Sequence, residues 1–304
     1  MAAKIKITFL GTSDAIPSDS RNHSAILLEY NGENILFDCG EGTQRQFRKV
    51  KLNPCKITRI LISHWHGDHV LGLPGLLSTL SLSGYNQTMH IYGPVGTKTF
   101  VKEMLKTFAF QQNYEIVVEE VSGKFFSGKD FYLEAKEMTH GVPCNAYSFV
   151  KENQLRIDKK KLKKSGLPEG PLLSKIKQGK DVEFNGKKFK AKDLTYLDEG
   201  KKISFVMDTS LNPKIVSFVK DSDALIIEST FLEDSERGKE LASEYKHLTA
   251  KQTAEIAKKA KVKKLFLTHI SSRYGKNPKL LVDEAKKIFK NSEAVKDFDT
   301  FEIK

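Results

Sequence analysis

The sequence predicts an α/β protein whose functional side chains lie at one edge of its strands. Short apolar strands alternate with amphipathic helices through both halves of the chain, and several strands end at a His, Asp or Glu. The 304 residues suffice for a sizeable buried core, and 39% hydrophobic with 29% charged residues is typical of a globular protein. We therefore expect a single domain, 1–304, with a site at the strand ends.

The first 150 residues are predicted to begin with strands. Runs rich in β-branched and apolar residues, separated by Gly and Asn turns, indicate an antiparallel start. Leu at helical spacing behind Pro74 indicates a helix. A buried strand leads into His64, and two later strands flank His140. The predicted strands are 4–10, 24–30, 34–38, 59–63, 131–138 and 145–150, and the predicted helix is 72–83.

The second half repeats this arrangement. Apolar strands end before Asp208, at Glu228 and before His269. Thr249 is a suitable N-cap for a helix, because its hydroxyl can accept a bond from a free backbone N–H. Ligand-bearing loops commonly meet at one rim of the strands in α/β proteins. The predicted strands are 203–207, 224–228 and 264–268, and the predicted helices are 249–260 and 278–289.

Half of the chain's excess positive charge lies in one segment. The formal net charge is +12, and residues 151–200 contain 14 Lys or Arg against 8 Asp or Glu. A basic protein attracts polyanions, most commonly nucleic acid, although a Lys-rich composition can also serve solubility alone. The Gly- and Pro-rich stretch 166–171 is a poor helix or strand interior. We predict, at 151–195, either an insertion that projects from the domain or a flexible linker.

The composition argues against secreted and membrane proteins. Nothing near the N-terminus resembles a signal peptide, and no apolar run approaches the ~18–20 residues that span a bilayer. Cys39, Cys55 and Cys144 are too sparse for a disulfide framework. A small buried thiol is the expected role for Cys39 and Cys144, with a nucleophile or soft ligand as the alternative. We expect a cytoplasmic protein.

Three of the eight histidines fall within six residues, in the segment HWHGDH at 64–69. Neutral imidazoles and a carboxylate together suit zinc and related divalent ions. His64 and His66, two apart on an extended stretch after a strand, can face one ion. Asp68 and His69, beyond a glycine, can face a neighbouring ion. We expect a loop, rather than a helix with i, i+4 spacing, to present these ligands.

This HxHxDH pattern resembles, position for position, that of the metallo-β-lactamase-fold hydrolases. The resemblance implies a four-layer αββα sandwich with two zinc ions in a cleft at the sheet edges, Mn²⁺ or Fe²⁺ being alternatives. It also implies further ligands after downstream strands, where His140, Asp208 and His269 match. Two ions ~3.5–4 Å apart suit hydrolysis by in-line attack. The implied ligands are His64, His66 and His140 for one ion and Asp68, His69 and His269 for the other, with Asp208 bridging.

Residues beyond these ligands resemble the ribonuclease Z family more specifically. The stretches IESTF at 227–231 and YKHLT at 245–249 place Glu228 and His247 where that family has a Glu and a His that support leaving-group protonation. An imidazole with an ordinary pKa of ~6.5 suits general-acid work, although a surface His beside a helix would look the same. The resemblance covers nearly the whole chain and implies catalytic roles for Asp68, His247 and Glu228.

The basic segment resembles the flexible arm of the short-form family, which grips tRNA away from the cleavage site. Lys contacts to phosphates give a salt-sensitive, sequence-independent grip. Arg21 and Arg273 are candidate phosphate contacts, with structural roles as the alternative, and Asp19 stands where the family often has Lys. The candidate tRNA-binding residues of the arm are Lys163, Lys164, Gly166, Pro168, Gly170, Pro171, Lys175 and Lys177.

We therefore predict a metal-dependent endoribonuclease that removes the 3′ trailer from precursor tRNA and leaves a 3′-hydroxyl. Two zinc ions per subunit, precursor tRNA as partner and a homodimer are expected, with no membrane association. One alternative is a small-molecule hydrolase of the same fold, which would not need the basic arm. Another is a non-catalytic RNA-binding protein, which would not need every ligand position filled.

Overall fold

The computed structural model describes residues 4–109, 111–274 and 277–303. Eighteen strands and eleven α-helices are assigned within these residues. The strands are β1 (Ile5–Gly11), β2 (Ala25–Tyr30), β3 (Glu33–Phe37), β4 (Arg59–Leu61), β5 (Met89–Gly93), β6 (Ile116–Glu120), β7 (Gly123–Ser127), β8 (Phe131–Glu137), β9 (Asn145–Lys151), β10 (Gln154–Ile157), β11 (Val182–Phe184), β12 (Lys187–Phe189), β13 (Thr195–Asp198), β14 (Lys201–Val206), β15 (Ala224–Glu228), β16 (Leu265–Thr268), β17 (Ser292–Ala294) and β18 (Thr300–Ile303).

The helices are short, and among the described residues none is long and apolar enough to cross a bilayer. Two short 3₁₀ turns accompany them, at Pro54–Lys56 and Ser272–Tyr274. The helices are α1 (Thr43–Lys49), α2 (Gly67–Val70), α3 (Leu73–Leu82), α4 (Thr97–Thr107), α5 (Lys159–Ser165), α6 (Leu172–Lys177), α7 (Ala191–Leu194), α8 (Pro213–Phe218), α9 (Gly238–Glu244), α10 (Ala250–Lys259) and α11 (Lys279–Lys286).

Two seven-stranded mixed sheets form the centre of the molecule. The first has the order β18-β1-β2-β3-β4-β5-β6, and the second has the order β17-β16-β15-β14-β9-β8-β7. In each sheet an antiparallel part is followed by parallel strands, β3 to β6 in the first sheet and β14 to β17 in the second. The carboxyl ends of these parallel strands carry the connecting loops on which the site is built.

Alternating apolar positions bury both faces of each sheet. Ile5, Ile7 and Phe9 of β1 face the core between the sheets, where the rings of Phe37 and Phe205 stack at 3.6 Å. The outer faces pack against α1, α3 and α4 on one side and α8, α10 and α11 on the other. Each fully buried large apolar side chain contributes about 1.5–3 kcal/mol. The result is the predicted four-layer αββα sandwich.

The predicted strands and the antiparallel start are confirmed to within two residues at each end. Thr249 is the N-cap of α10, and its hydroxyl accepts a bond from the backbone N–H of Gln252, whose side chain reciprocates. Two predictions need correction. The last predicted helix ends at Lys286 rather than at 289. Asp68 and His69 lie on the single helical turn α2 rather than on a loop, while His66 before them has extended backbone.

The basic segment is a folded insertion in the turn between β9 and β14. Lys151, which ends β9, pairs with Lys201, which begins β14. Beyond this pair the chain continues as the two-stranded ribbon β10-β13, in which Gln154 opposes Asp198. The insertion therefore runs from 154 to 198, displaced by three residues from the predicted 151–195. We call this segment, 154–198, the arm.

The arm has an apolar core of its own. Its helices and the hairpin β11-β12 enclose a small cluster centred on Ile176 and Leu162. At its base Asp198 accepts bonds from the ammonium of Lys151 and the guanidinium of Arg156, which fixes the ribbon to the sandwich. Asp158 caps α5 by accepting bonds from two backbone N–H groups. The arm is therefore built as a small folded unit.

Candidate metal centre

All seven predicted metal ligands converge at one rim of the sandwich. They arrive on the four connections that follow β4, β8, β14 and β16, the first of which includes the helical turn α2. Their ligand atoms form two groups that share one carboxylate, and within each group the atoms lie within 4.8 Å of one another. The first group is His64, His66, His140 and Asp208, and the second is Asp68, His69, Asp208 and His269.

The first group joins three imidazoles to the shared carboxylate of Asp208. His66 Nδ1 lies 3.0 Å from His64 Nε2 and 3.2 Å from His140 Nε2. Burial holds the pKa of His64 well below its ordinary value, with the neighbouring His69 adding to the effect. The three nitrogens lie close enough together to surround one cation, to which an imidazole contributes the lone pair of its unprotonated nitrogen.

The second group joins two imidazoles to two carboxylates, those of Asp68 and the shared Asp208. Asp68 Oδ2 lies 3.1 Å from His69 Nε2 and 3.2 Å from His269 Nε2. Burial alone would lower the pKa of His69, but the carboxylates of Asp208, Asp68 and Asp38 outweigh it and raise that pKa well above its ordinary value. The negative potential that produces this shift favours positive charge at this position.

Asp208 lies between the two groups and is almost fully buried. Its Oδ2 is 3.6 Å from His64 Nε2 and 3.9 Å from His140 Nε2. Its Oδ1 is 3.5 Å from His69 Nε2 and 3.2 Å from His269 Nε2. Each oxygen of one carboxylate therefore faces a different group of ligands, as a bridging ligand requires.

Two buried polar atoms at the centre fit a bound cation. Asp208 Oδ1 and His69 Nε2 have no hydrogen-bond partner among the residues that the structure describes. A buried polar atom left without a partner costs about 1–3 kcal/mol, so such atoms fit a position where an ion or water binds. The donor set of imidazole nitrogens and carboxylate oxygens suits zinc and similar divalent ions. The site is therefore suited to bind divalent metal.

A second layer of hydrogen bonds orients the ligand imidazoles. Asp38, in a left-handed conformation with φ 56°, accepts bonds from the backbone N–H and hydroxyl of Ser63. The same carboxylate lies 2.7 Å from His69 Nδ1, and the Ser63 hydroxyl lies 3.1 Å from His64 Nδ1. Across the site, the Lys246 carbonyl accepts a hydrogen bond from Nδ1 of His140. These contacts turn the opposite nitrogens inward.

Sequence reasoning missed Asp38, Ser63 and also Thr230, whose hydroxyl lies 3.0 Å from His269 Nδ1, as members of the site. The strand-end pattern that identified Asp208 and Glu228 also applies to Asp38, which follows β3 directly. That pattern could have identified Asp38. No comparable sequence signal marks the two hydroxyl residues, because their contacts depend on which loops meet.

Glu228 and the partly exposed His247 form a pair beside the second group. Glu228 is fully buried, and both of its carboxylate oxygens lie within 3.2 Å of His247 Nδ1. Burial lowers the pKa of His247, but Glu228 and Asp208 outweigh it and raise that pKa to about 9. Because Nδ1 is held by the carboxylate, Nε2 is the nitrogen available to a substrate.

Other predicted residues lie away from these groups. Arg21 is buried, and its guanidinium donates to Thr12 Oγ1 and to the Val295 carbonyl. These contacts are those of a structural arginine rather than of a phosphate contact. Arg273 is exposed and lies 5.7 Å from the Phe231 ring centroid. Cys39 and Cys144 are buried, as expected, and burial raises the pKa of each thiol to about 12.

The candidate tRNA-binding residues all lie on the surface of the arm. Every one of the eight is exposed to solvent. The four lysines among them come from α5 and α6, and the Gly- and Pro-rich stretch joins those two helices.

Comparisons with known proteins identify relatives of this chain in sequence and in structure. Residues 5–121 match a family model described as Anti-Pycsar protein Apyc1. The chain is 40% identical to ribonuclease Z of Oceanobacillus iheyensis, covering 98% of this chain and 100% of that protein. Human tRNase Z, short form, has a TM-score of 0.70 at 28% identity, covering 97% and 98% of the two chains. The metallo-β-lactamase fold protein YhfI from Bacillus subtilis has a TM-score of 0.71 at 18% identity, covering 99% and 100%, which bears on the fold alone.

The αββα sandwich, its His- and Asp-lined rim and the ribonuclease Z relatives define a hydrolase of the metallo-β-lactamase fold with a site for divalent metal. Within that class, the chain belongs to the ribonuclease Z family. The predicted family and fold are thereby confirmed. The predicted enzyme class, a hydrolytic endoribonuclease of tRNA 3′ processing, is confirmed at the level of the family.

Proposed function

We propose that this chain cuts precursor tRNA at the 3′ side of the acceptor stem, using two zinc ions held by the two groups of ligands. The observation that carries this proposal is the position of Asp208, with one carboxylate oxygen toward each group. A mononuclear site would need no such bridge. The preponderance of imidazole among the ligands favours zinc over magnesium, with manganese and iron as alternatives.

When bound, the ions supply activation of the attacking water and neutralisation of charge on the phosphoryl oxygens. The chain's own residues do the rest. Asp68, besides being a ligand, is assigned to orient the attacking water and to accept its proton. Asp208 and the five ligand histidines would hold the ions in place. Each imidazole is itself oriented by a second hydrogen bond or by packing against surrounding residues.

His247 is assigned as the general acid for the leaving group. Its Nδ1–H donates to Glu228, so Nε2 carries the proton that can move to the departing 3′ oxygen. As the phosphorus–oxygen bond breaks, that oxygen becomes the 3′-hydroxyl of the tRNA, and the trailer keeps the phosphate. The position of the Glu228 carboxylate supports this role, since it favours the protonated imidazole.

The arm is proposed to hold tRNA away from the bond that is cut. Lys163 and Lys164 on α5 and Lys175 and Lys177 on α6 present four exposed charges around one Gly- and Pro-rich turn. Such charges bind phosphates without reading sequence, and the bound shape of tRNA then selects the substrate.

A cytoplasmic homodimer is the proposed working form. Exposed apolar side chains on and beside α3 and α4 support a second copy as partner, among them Leu82, which is 87% exposed, and Phe100. Light scattering of the purified protein tests this directly. A mass of one chain across the micromolar range would remove the dimer from the proposal.

The central experiment is an assay on a transcribed precursor tRNA, with zinc and after its removal by a chelator. We expect one cut, a tRNA ending in a 3′-hydroxyl, a trailer with a 5′-phosphate, and loss of both products without metal. Transcripts with and without an encoded CCA define the trailer preference. Turnover of thioesters or lactams without any discrete 3′ cut would instead favour the small-molecule hydrolase.

A further inference from the structure

One buried hydroxyl joins the metal ligands to the proposed general acid. Thr230 lies two residues after Glu228 and is 2% exposed. Its Oγ1 is 2.6 Å from Glu228 Oε2, 3.0 Å from His269 Nδ1 and 3.5 Å from His247 Nδ1. This hydroxyl touches a residue of the second ligand group and both members of the acid pair.

The chemistry of the partners fixes the direction of each bond. A carboxylate can only accept, so the Thr230 hydroxyl donates its single proton to Glu228. With that proton used, the oxygen can only accept from His269, which therefore carries its proton on Nδ1. The lone pair of His269 is then on Nε2, the nitrogen that lies 3.2 Å from both Asp68 Oδ2 and Asp208 Oδ1.

The same arrangement occurs on the other side of the site. The Ser63 hydroxyl donates to Asp38 Oδ2 at 2.8 Å and accepts from His64 Nδ1 at 3.1 Å. A carboxylate, a hydroxyl and an imidazole are thus joined in that order twice. A hydroxyl placed between a carboxylate and an imidazole selects one tautomer of that imidazole.

We propose that Thr230 is a positioning residue that fixes the tautomer of His269 for metal binding and at the same time holds Glu228 in place to orient His247. This inference rests on the proposed function, because it assumes that His269 is a ligand and that His247 is the acid. It adds a physical link between the two. Loss of one hydroxyl should weaken metal binding and proton donation together.

Substitution of Thr230 by Val removes the hydroxyl and keeps the shape of the side chain. Glu228 Oε2 then loses its shortest bond, and the Nδ1–H of His269 loses its acceptor in a buried position. His269 is free to adopt the other tautomer, in which Nε2 bears a proton and cannot bind metal. Thr230→Ser keeps the hydroxyl and should restore both functions.

The matched control is Thr253→Val. Thr253 is also buried, and its hydroxyl donates to the backbone carbonyl of Glu228 at 3.0 Å. The control therefore removes a threonine hydroxyl that also contacts Glu228, but at its backbone carbonyl rather than at its carboxylate. A general effect of losing a buried hydroxyl should appear in both Val variants.

The primary measurement is zinc affinity, by competition with a chelating indicator in the absence of RNA. We expect Thr230→Val to weaken one of two zinc equivalents by roughly 10- to 100-fold, as second-layer changes typically do. We expect kcat for precursor tRNA to fall while KM changes by less than about twofold, because phosphate contacts are intact. Thr253→Val and Thr230→Ser should bind zinc like the parent.

Wild-type zinc affinity and kcat in Thr230→Val, with circular dichroism showing a folded chain, would overturn the inference. So would equal losses in Thr230→Val and Thr253→Val. Failure of the proposed function looks different: the unaltered chain itself would bind fewer than two zinc equivalents or leave precursor tRNA uncut. If Thr230→Val does not fold, Thr230→Ser and Thr230→Ala, measured in the same way, decide the question.

Discussion

The metal rim and the arm hold their functional side chains in opposite ways. At the rim, the shared ligand Asp208 is 4% exposed and the imidazoles of His64, His69 and His269 are almost completely buried. On the arm, every candidate tRNA-binding residue is exposed. Cleavage of a phosphodiester depends on fixed angles and distances between the reacting groups, whereas binding of tRNA phosphates depends mainly on charge. The two regions should therefore respond to substitution differently.

At the rim a single substitution should act on the whole group of ligands. Buried polar groups depend on one another, because each one lost leaves another unpaired. On the arm the lysines are separately solvated, so their effects should add approximately. Substitutions in each region can test this contrast, beginning with the largest expected effect.

Asp208→Asn should have the largest effect. The change keeps the shape but removes the charge that both groups of ligands face. We expect activity on precursor tRNA and on a small phosphodiester to fall together, by roughly 10³- to 10⁴-fold, as the loss of several kcal/mol of charge stabilisation implies. Zinc content by elemental analysis should drop below two per chain. Retention of small-diester activity would show that the bridge is dispensable.

Removal of the arm should separate the two regions. Gln154 and Asp198 oppose each other, so an Asn-Gly turn that replaces 155–197 can join them, close the ribbon and leave Asp198 bonded to Lys151. We expect kcat/KM for precursor tRNA to fall by roughly two to three orders of magnitude, with small-diester hydrolysis within about twofold of the parent. Loss of both activities in a folded variant would mean that the arm supports the rim.

The sequence predicted the rim better than the arm for a physical reason. The HWHGDH segment is recognisable from its residue types and spacing, and the resemblance to the metallo-β-lactamase-fold hydrolases then pointed to Asp208 and His269 after downstream strands. The Ser63 hydroxyl contacts Asp38 and the Thr230 hydroxyl contacts His269, residues that lie 25 and 39 positions away in the chain. These contacts could not be predicted from local patterns.

In the arm, composition predicted charge but not architecture. The short strands β11 and β12 have three residues each, too few for alternation to be evident. The arm begins and ends three residues later than predicted, because Lys151 and Lys201 still pair within the sheet. The ribbon β10-β13 of the arm continues directly from that pair. No change in composition marks that point.

His247→Ala should slow cleavage without loss of metal. Removal of a general acid typically costs about 10²- to 10⁴-fold, and we expect roughly 10² here because the leaving 3′ oxygen can also be protonated by water. Zinc content should stay at that of the parent, since His247 is assigned no ligand role. The discriminating measurement is a phosphodiester with a good leaving group, which needs little protonation and should be cut nearly normally. Loss of one zinc equivalent would reassign His247 as a ligand.

Replacing four arm lysines by Gln should weaken tRNA binding moderately. The set is Lys163, Lys164, Lys175 and Lys177. We expect KM for precursor tRNA to rise by about 10- to 30-fold and the slope of log K against log salt to become shallower by about 3. The control removes four exposed lysines near α10 and α11, Lys258, Lys261, Lys286 and Lys290, with the same change in net charge. Equal effects in both sets would attribute binding to overall charge rather than to the arm.

The smallest predicted effect concerns the folding of the arm itself. The Asp158 carboxylate accepts bonds from the backbone N–H groups of Lys160 and Lys161, in a helix otherwise crowded with positive charge. Asp158→Ala should lower the free energy of unfolding of the arm by about 1 kcal/mol. Asp158→Asn keeps the acceptor and should lose less.

Amide hydrogen exchange can locate that loss. If the arm is a separate folding unit, faster exchange in Asp158→Ala should be confined to 154–198, with the sandwich unchanged. Small-diester kcat should then equal that of the parent, while KM for precursor tRNA rises slightly. Faster exchange throughout the sandwich would show that the arm and the rim fold as one unit. It would contradict the view that the tRNA-binding arm is independent of the rigid metal site.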